Sequence, residues 1–530
     1  MPVLAVVNTT VVAVSFALYT LAIIAIGVYS ARFARRSDED YFLAGRSLGS
    51  WVAALSASAS SESGWVTLGL VGWAFTSGVS AYWIIPGCLV GFLFNWFVVA
   101  GRLHDRSRAL SALTLPDFLA FNFKERVPLL RVLSVVVIIV AMLLYVAAQL
   151  AAAGKAFSAS FGGVEGGVRY EHGVLIGAGV VLLYTVAGGF RAVCWTDFMQ
   201  ALLMVGTLIV FPIYLLATEG GYDFISKALS DTDGGALLTF TPDKAGAALI
   251  GFLLGHGALG INFGYPGQPH VLIRFMALKD RRQAMLGGII SFIWGLLVYW
   301  GAVTVGLMAR AMTAAGAEWG QVMLDPATKD QYGELGLVLS AMNMLPAMLA
   351  GLVLAAVLAA ICSTADSQLV VAASSAANDL YARLFSKAKG KSHMVVNRLV
   401  VLAVGIVAVL LVINKEVTVY KYVLNYGWAI LGASFGPQII LILLWKRASY
   451  TGCLAGMFTG FVTAIVWQLT YGAATRVVEI YNLPLAFIVA LIVNVIVSLL
   501  VPTARAAYRP RAGFPVITPP ADDQQPPADR

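Results

Sequence analysis

Residues 56–65 read SASASSESGW, and they lie in the middle of an apolar run that extends from about 50 to 77. Five serines, one glycine and a glutamate interrupt what is otherwise a membrane-length hydrophobic stretch. Serines compete with the helix for backbone hydrogen bonds and glycine loosens it, so a break is expected near 59–64. The plainer reading is a small-residue face for close helix packing. Glu62 counts against it, because packing small residues needs no carboxylate.

The rest of the chain is of the same apolar kind. Its 530 residues are 59% hydrophobic and 12% charged, with mean hydropathy +0.83. Soluble domains carry roughly 25% charge, so a water-soluble enzyme and a disordered chain are both excluded. Long continuous apolar runs, rather than alternating ones, exclude a barrel. An all-α polytopic membrane protein follows, with about thirteen transmembrane helices at roughly 7–30, 50–77, 81–101, 131–157, 172–190, 192–217, 245–264, 284–312, 335–381, 394–413, 420–445, 450–472 and 482–503. One transmembrane transporter domain is expected over 1–503, with a Pro-rich, disordered cytoplasmic tail over 504–530. The first run has no basic residues before it and reads as a retained span rather than a cleaved signal.

Charge sets the orientation. Of the 35 lysines and arginines, 26 fall in one set of connections, among them Arg32, Arg46, Arg106, Arg131, Arg274 and Arg281. Nine, including Lys155, fall in the other. The positive-inside rule then puts the N-terminus outside and the C-terminus in the cytoplasm. The net charge of +8 is read as topology and not as nucleic-acid binding. Cys88, Cys194, Cys362 and Cys453 all lie in apolar runs and form no CxxC pair.

Three further interruptions stand out. GINFGYPGQPH (260–270) places two prolines and three glycines in an apolar run; Pro266 lacks a backbone donor and clashes with the preceding turn. A kink or a simple helix end is the alternative. AAICSTADSQL (359–369) carries Ser363 and Ser367 on one face, with Thr364 beside it and Asp366 nearby. Asp197 sits about a turn inside the sixth span, followed by Gln200. Two interrupted helices about 200 residues apart point to an inverted-repeat transporter, with repeats at about 50–217 and 245–445.

DYFLAGRSLGSWVAALSA (40–57), LTLPDF (113–118), GGFRAVCWTDFMQA (188–201), GQPHVLIRFMA (267–277), AAICSTADSQLVVAASSAANDLY (359–381) and GASFGPQIILILLWKR (432–447) resemble, in order, the sodium/solute symporter family, and within it the bacterial sodium/proline symporters. The resemblance implies a LeuT-like, five-plus-five inverted-repeat core and sodium-coupled import of proline or a related amino acid across a bacterial-type inner membrane. The co-transported sodium ion would be held by backbone carbonyls of Ala59, Glu62 and Ala360 and by the hydroxyls of Ser363 and Thr364. Asp197 matches the family's acidic residue on the ion pathway. Ser63, Gly64, Trp65, Tyr145, Ile261, Tyr265, Gln268 and Pro269 match substrate-site positions. Neutral oxygens suit a hard monovalent ion that must be released again.

Two positions depart from the proline symporters. They carry Asp where this chain has Ser61, with Glu62 one residue later, and Trp where it has Ile261. Successive helical residues point about 100° apart, so Glu62 does not simply replace that Asp. It takes over the acidic function, meets a substrate amine, or carries a proton; a different solute with partial proton coupling is therefore an alternative reading. A solute sensor working with a separate signalling partner is another, and a channel a third. An enzyme is not expected: the sequence has no HExxH or GxSxG. His104, His172, His256, His270 and His393 make no metal-spaced pair, although His256 falls within a span.

Overall fold

In a computed structural model of the chain, residues 8–30, 38–123, 127–162, 167–241, 247–255, 259–324, 333–382, 391–470 and 481–501 are described. The expected tail and His256 lie outside them. The described residues are helical, with a single isolated backbone bridge, between Leu48 and Leu278.

The first long helix, α1, is Thr9–Ser30. The serine-rich run follows as two pieces: α2 (Ser50–Ser61) ends where Glu62 leaves helical geometry, at φ −100° and ψ 79°. The chain resumes at Trp65–Leu70 as a π-helical turn and runs into Val71–Ser77; these two together are α3. Then come α4 (Ile84–Leu93, prolonged through Gly101–Ala109), α5 (Leu115–Phe121) and α6 (Leu129–Phe161). Next is α7, Tyr170–Glu219, divided at Gly189, whose φ of 66° is open to glycine and strained for other residues.

After α8 (Gly221–Ser230), the proline-interrupted run gives α9 (Ala247–Leu253), a 3-10 stretch Leu259–Gly267 and α10 (Pro269–Met276). Pro269 opens α10 at the one place where a helix needs no proline donor. The remainder is α11 (Arg282–Ala314), α12 (Gly336–Met344), α13 (Ala347–Ser374), α14 (Lys391–Val412), α15 (Val419–Tyr422 continuing to Ala429–Leu444), α16 (Tyr450–Thr470) and α17 (Asn482–Leu500).

Among the described residues, ten helices are long and apolar enough to cross a membrane. The thirteen expected crossings also count Tyr170–Leu183 and the interrupted 247–276 run, and separate α3 from α4. The expected span at 335–381 is divided: α12 ends at Met344, and Pro346 caps the start of α13.

The two broken helices run in opposite directions. Leu48, just before α2, bonds to Ala277 O (3.1 Å) and accepts from Lys279 N (3.0 Å), just after α10. Each broken helix heads a series of four further spans, which is the inverted five-plus-five arrangement. Leu48, Arg46, Arg106 and Arg281 mark one end of the molecule, here called the basic end. Lys155 and Glu334 mark the other.

Candidate functional site

The break in α2/α3 is held open by one side chain of α6. Gln149 Oε1 accepts from the Gly64 amide (3.0 Å), and its Nε2 donates to Ser63 Oγ (3.1 Å). These bonds satisfy groups that the helix no longer serves, at a depth where no water replaces them. Trp65 then turns back, its indole donating to Ser61 O at 3.0 Å. Gly64 is tightly surrounded: a Cβ would stand 3.0–3.2 Å from Ala152, Gln149 and Ile361, which would have to give by a few tenths of an ångström.

The second break is held from α15. Gln268 Nε2 donates to Gly264 O and Trp428 O (both 3.1 Å), and the Trp428 indole donates to Ile261 O (3.1 Å). Trp428 packs edge-on to Tyr265 with ring centroids 4.8 Å apart. Thus an indole from α15 stands beside Ile261. Gln268 Oε1 is buried and has no donor among the described residues. Tyr145, on α6, stands edge-on to His270 at 6.0 Å and fills the space above Gly427. All eight expected substrate contacts are buried, and they lie at the two breaks and on α6.

The hydroxyl-bearing face of α13 meets the end of α2. Ser363 Oγ lies 2.9 Å from Ala59 O and 3.2 Å from Ala360 O; Thr364 Oγ1 lies 3.3 Å from Ala59 O and 3.1 Å from Ser60 O. Four of the five expected ion ligands therefore converge on one spot. The fifth, the carbonyl of Glu62, belongs to the residue where α2 ends.

Toward the basic end lies a second buried cluster, and the sequence reading missed half of it. Asp197 Oδ2 accepts from Ser56 Oγ (2.7 Å), Ser60 Oγ (3.1 Å) and Arg274 (2.8 Å). Arg274 also donates to Ser56 Oγ (3.0 Å), Ser60 Oγ (2.9 Å), Ser367 Oγ (2.6 Å) and the carbonyl of His270. Both side chains are fully buried. Arg274 was counted above as a loop cation; it is an internal one, joining α2, α7, α10 and α13. The same correction applies to Arg46, Arg131 and Lys155, each at most 6% exposed. Arg46 binds Met276 O, Ala112 O and Glu39. Arg131 pairs with Asp117 (2.5 Å) and Asp379 (2.8 Å). Lys155 pairs with Glu334 (2.5 Å), whose other oxygen accepts from Tyr420 N (2.8 Å). A usable signal existed for Gln149 and Arg274, each a lone polar residue with apolar neighbours on both sides.

Among known proteins, the model of the sodium:solute symporter family matches residues 41–460. The chain is 36% identical to the sodium/proline symporter of Salmonella typhimurium over 515 residues, covering 95% of this chain and 96% of that protein. It is 34% identical to the osmoregulated proline transporter OpuE of Bacillus subtilis, covering 94% and 96%. The high-affinity proline transporter PutP of the same organism is 37% identical, covering 81% and 86%. In fold, the chain is similar to a substrate-bound, outward-open Na+-coupled sialic acid symporter, with TM-score 0.73 at 19% identity, covering 94% of this chain and 99% of that one. Two antiparallel broken helices, a hydroxyl-bearing helix against the first of them, and these matches along nearly the whole length place the chain in the sodium:solute symporter family.

Proposed function

We propose that the chain is a multi-pass transporter that imports proline or a closely related amino acid together with sodium, by alternating access. One observation carries the reading: two carbonyls and two hydroxyls converge at Ala59, Ala360, Ser363 and Thr364, next to a helix break whose amides are served by side chains instead of by the helix. Sodium entering that spot makes the two hydroxyls turn their lone pairs inward and draws α2 toward α13. The substrate carboxylate is drawn to the start of α3, where the helix dipole is positive, and there takes the place of Gln149 Oε1 and Ser63 Oγ on the Gly64 and Trp65 amides. Its secondary ammonium meets the unserved Gln268 Oε1. Tyr145 and Trp65 cover the ring.

Ion and substrate thus share the break, and each favours the geometry the other needs. The excess of basic residues at the Arg46 end supports a cytoplasmic location for that end, so release proceeds past Asp197. Ile261 with Trp428 beside it reshapes the apolar wall, which favours a relative of proline as readily as proline itself.

The test is uptake of radiolabelled L-proline into proteoliposomes, with and without an inward sodium gradient, against a panel of unlabelled amino acids. Sodium-driven accumulation displaced by proline or a close analogue is expected. Accumulation that is identical in sodium and in choline refutes the ion coupling; sodium-driven uptake that no amino acid displaces refutes the substrate class.

A further inference from the structure

The side chain of Glu62 points away from the Ala59–Ser363 spot. Its Oε1 accepts from Ser61 Oγ (3.0 Å) and from the hydroxyl of Tyr265 (3.1 Å), which lies 3.1 Å from the hydroxyl of Tyr299 on α11. Glu62 is fully buried, and its Oε2 has no hydrogen-bond donor among the described residues. No ion pair reaches it among those residues either. Burying a carboxylate without an ion-pair partner is costly. The chain keeps it all the same, in the middle of a site that handles cations.

We propose that Glu62, with the hydroxyls of Ser61, Tyr265 and Tyr299, forms a second sodium position; the proposal deepens the sodium-symport reading and rests on it. Five oxygens meet there, and one of them is a carboxylate with an unserved lone pair. Both neighbouring donors have somewhere else to send their protons. Ser61 Oγ is also 3.1 Å from Ser58 O, and the Tyr265 hydroxyl can donate to Tyr299. Each can therefore turn a lone pair toward a cation without losing its hydrogen bond.

Size selects the ion over a substrate ammonium. The free space beside Ser61 and Tyr265 is a recess lined also by Ser58, Asn95 and Phe92, with room for about one water molecule. Asn95 Oδ1, on that recess, is a further buried acceptor without a donor among the described residues. A sodium ion fits such a space, and a secondary amine bearing a ring does not. The residues belong to the end of α2 and the break after it, the 3-10 stretch Leu259–Gly267 and α11, so this ion fastens the two broken helices to each other. The ion at Ser363 fastens α2 to α13.

Counting bound ²²Na⁺ on the purified full-length protein, without substrate, tests this directly. Two sodium ions per chain are expected for the wild type, one for Glu62→Gln, and one for Ser363→Ala combined with Thr364→Ala. Tyr299→Phe, a smaller change, is expected to weaken the second ion about tenfold while leaving two at saturation. A wild-type count of one that disappears in the Ser363/Thr364 variant overturns the second position and leaves the symport reading standing. A count that Glu62→Gln leaves at two, including the case in which only L-proline affinity drops, overturns it as well. So does an unchanged sodium affinity in Tyr299→Phe, which stands as the deciding measurement if Glu62→Gln does not fold.

Discussion

Arg274→Met asks how much the internal clamp at the basic end contributes. The substitution keeps the aliphatic stem and removes a guanidinium that contacts Ser56, Ser60, Ser367 and Asp197 at 2.6–3.0 Å. It strands the Asp197 carboxylate, which is fully buried. Removing one partner of such a pair costs about 3–5 kcal/mol. Asp197 keeps its bonds from Ser56 (2.7 Å) and Ser60 (3.1 Å), and charge-assisted bonds of that kind are worth about 1.5–3 kcal/mol each, so the lower end, about 3 kcal/mol, is expected. Adding Asp197→Leu removes the stranded charge. The double variant should then recover at least about 2 kcal/mol relative to the sum of the two single changes. The assay is reversible unfolding in mixed detergent micelles, run as a double-mutant cycle. Additivity within about 0.5 kcal/mol, the behaviour of independent sites, refutes the clamp as an energetic unit.

Further outcomes follow from the other contacts. Ser363→Ala and Thr364→Ala each remove one oxygen from the spot beside Ala59; each should raise the sodium concentration for half-maximal uptake about tenfold, near 1.4 kcal/mol, and an unchanged requirement in both would place the ion elsewhere. Gly264→Ala puts a Cβ 1.8 Å from the Trp428 indole nitrogen, forcing that ring off Ile261 O. Transport should fall at least tenfold with membrane insertion intact, measured as uptake per inserted molecule, and wild-type rates would mean the indole is free to move aside. Lys155→Met leaves Glu334 buried with, among the described residues, only the Tyr420 amide. It should lower unfolding free energy by about 3 kcal/mol, with Lys155→Arg restoring most of it; equal losses in both variants would argue for tight packing rather than charge.

The features legible in the sequence were local. Serines and a glycine in 56–65, and prolines in 260–270, disrupt their own backbone, so both breaks lie where composition placed them: at Glu62–Gly64 and around 259–268. The hydroxyls of Ser363 and Thr364 were visible for the same reason, being polar groups in an apolar run. The partners were not legible. Gln149 serves a break 85 residues away, Trp428 one 167 residues away, and Lys155 finds Glu334 after 179. Nothing in one sequence says which face of α6 or α15 turns toward which gap. Arg274 was misread for a different reason: loop-charge counting treats every arginine near a span end as solvated, whereas this one is turned inward against Asp197.

Lys155–Glu334 at one end and Arg274–Asp197 at the other are both formed at once, with the two helix breaks between them. A contact that takes about 3 kcal/mol to part stands open roughly once in 160 glimpses at about 1.4 kcal/mol per tenfold, and two such contacts coincide roughly once in 26,000 when they act independently. A cell that holds a steep ion gradient loses little through so rare a coincidence. Were the two pairs to part in turn, leakage would scale with the product of two improbable events while turnover needed only one at a time, and a carrier built so would stay tight without being slow.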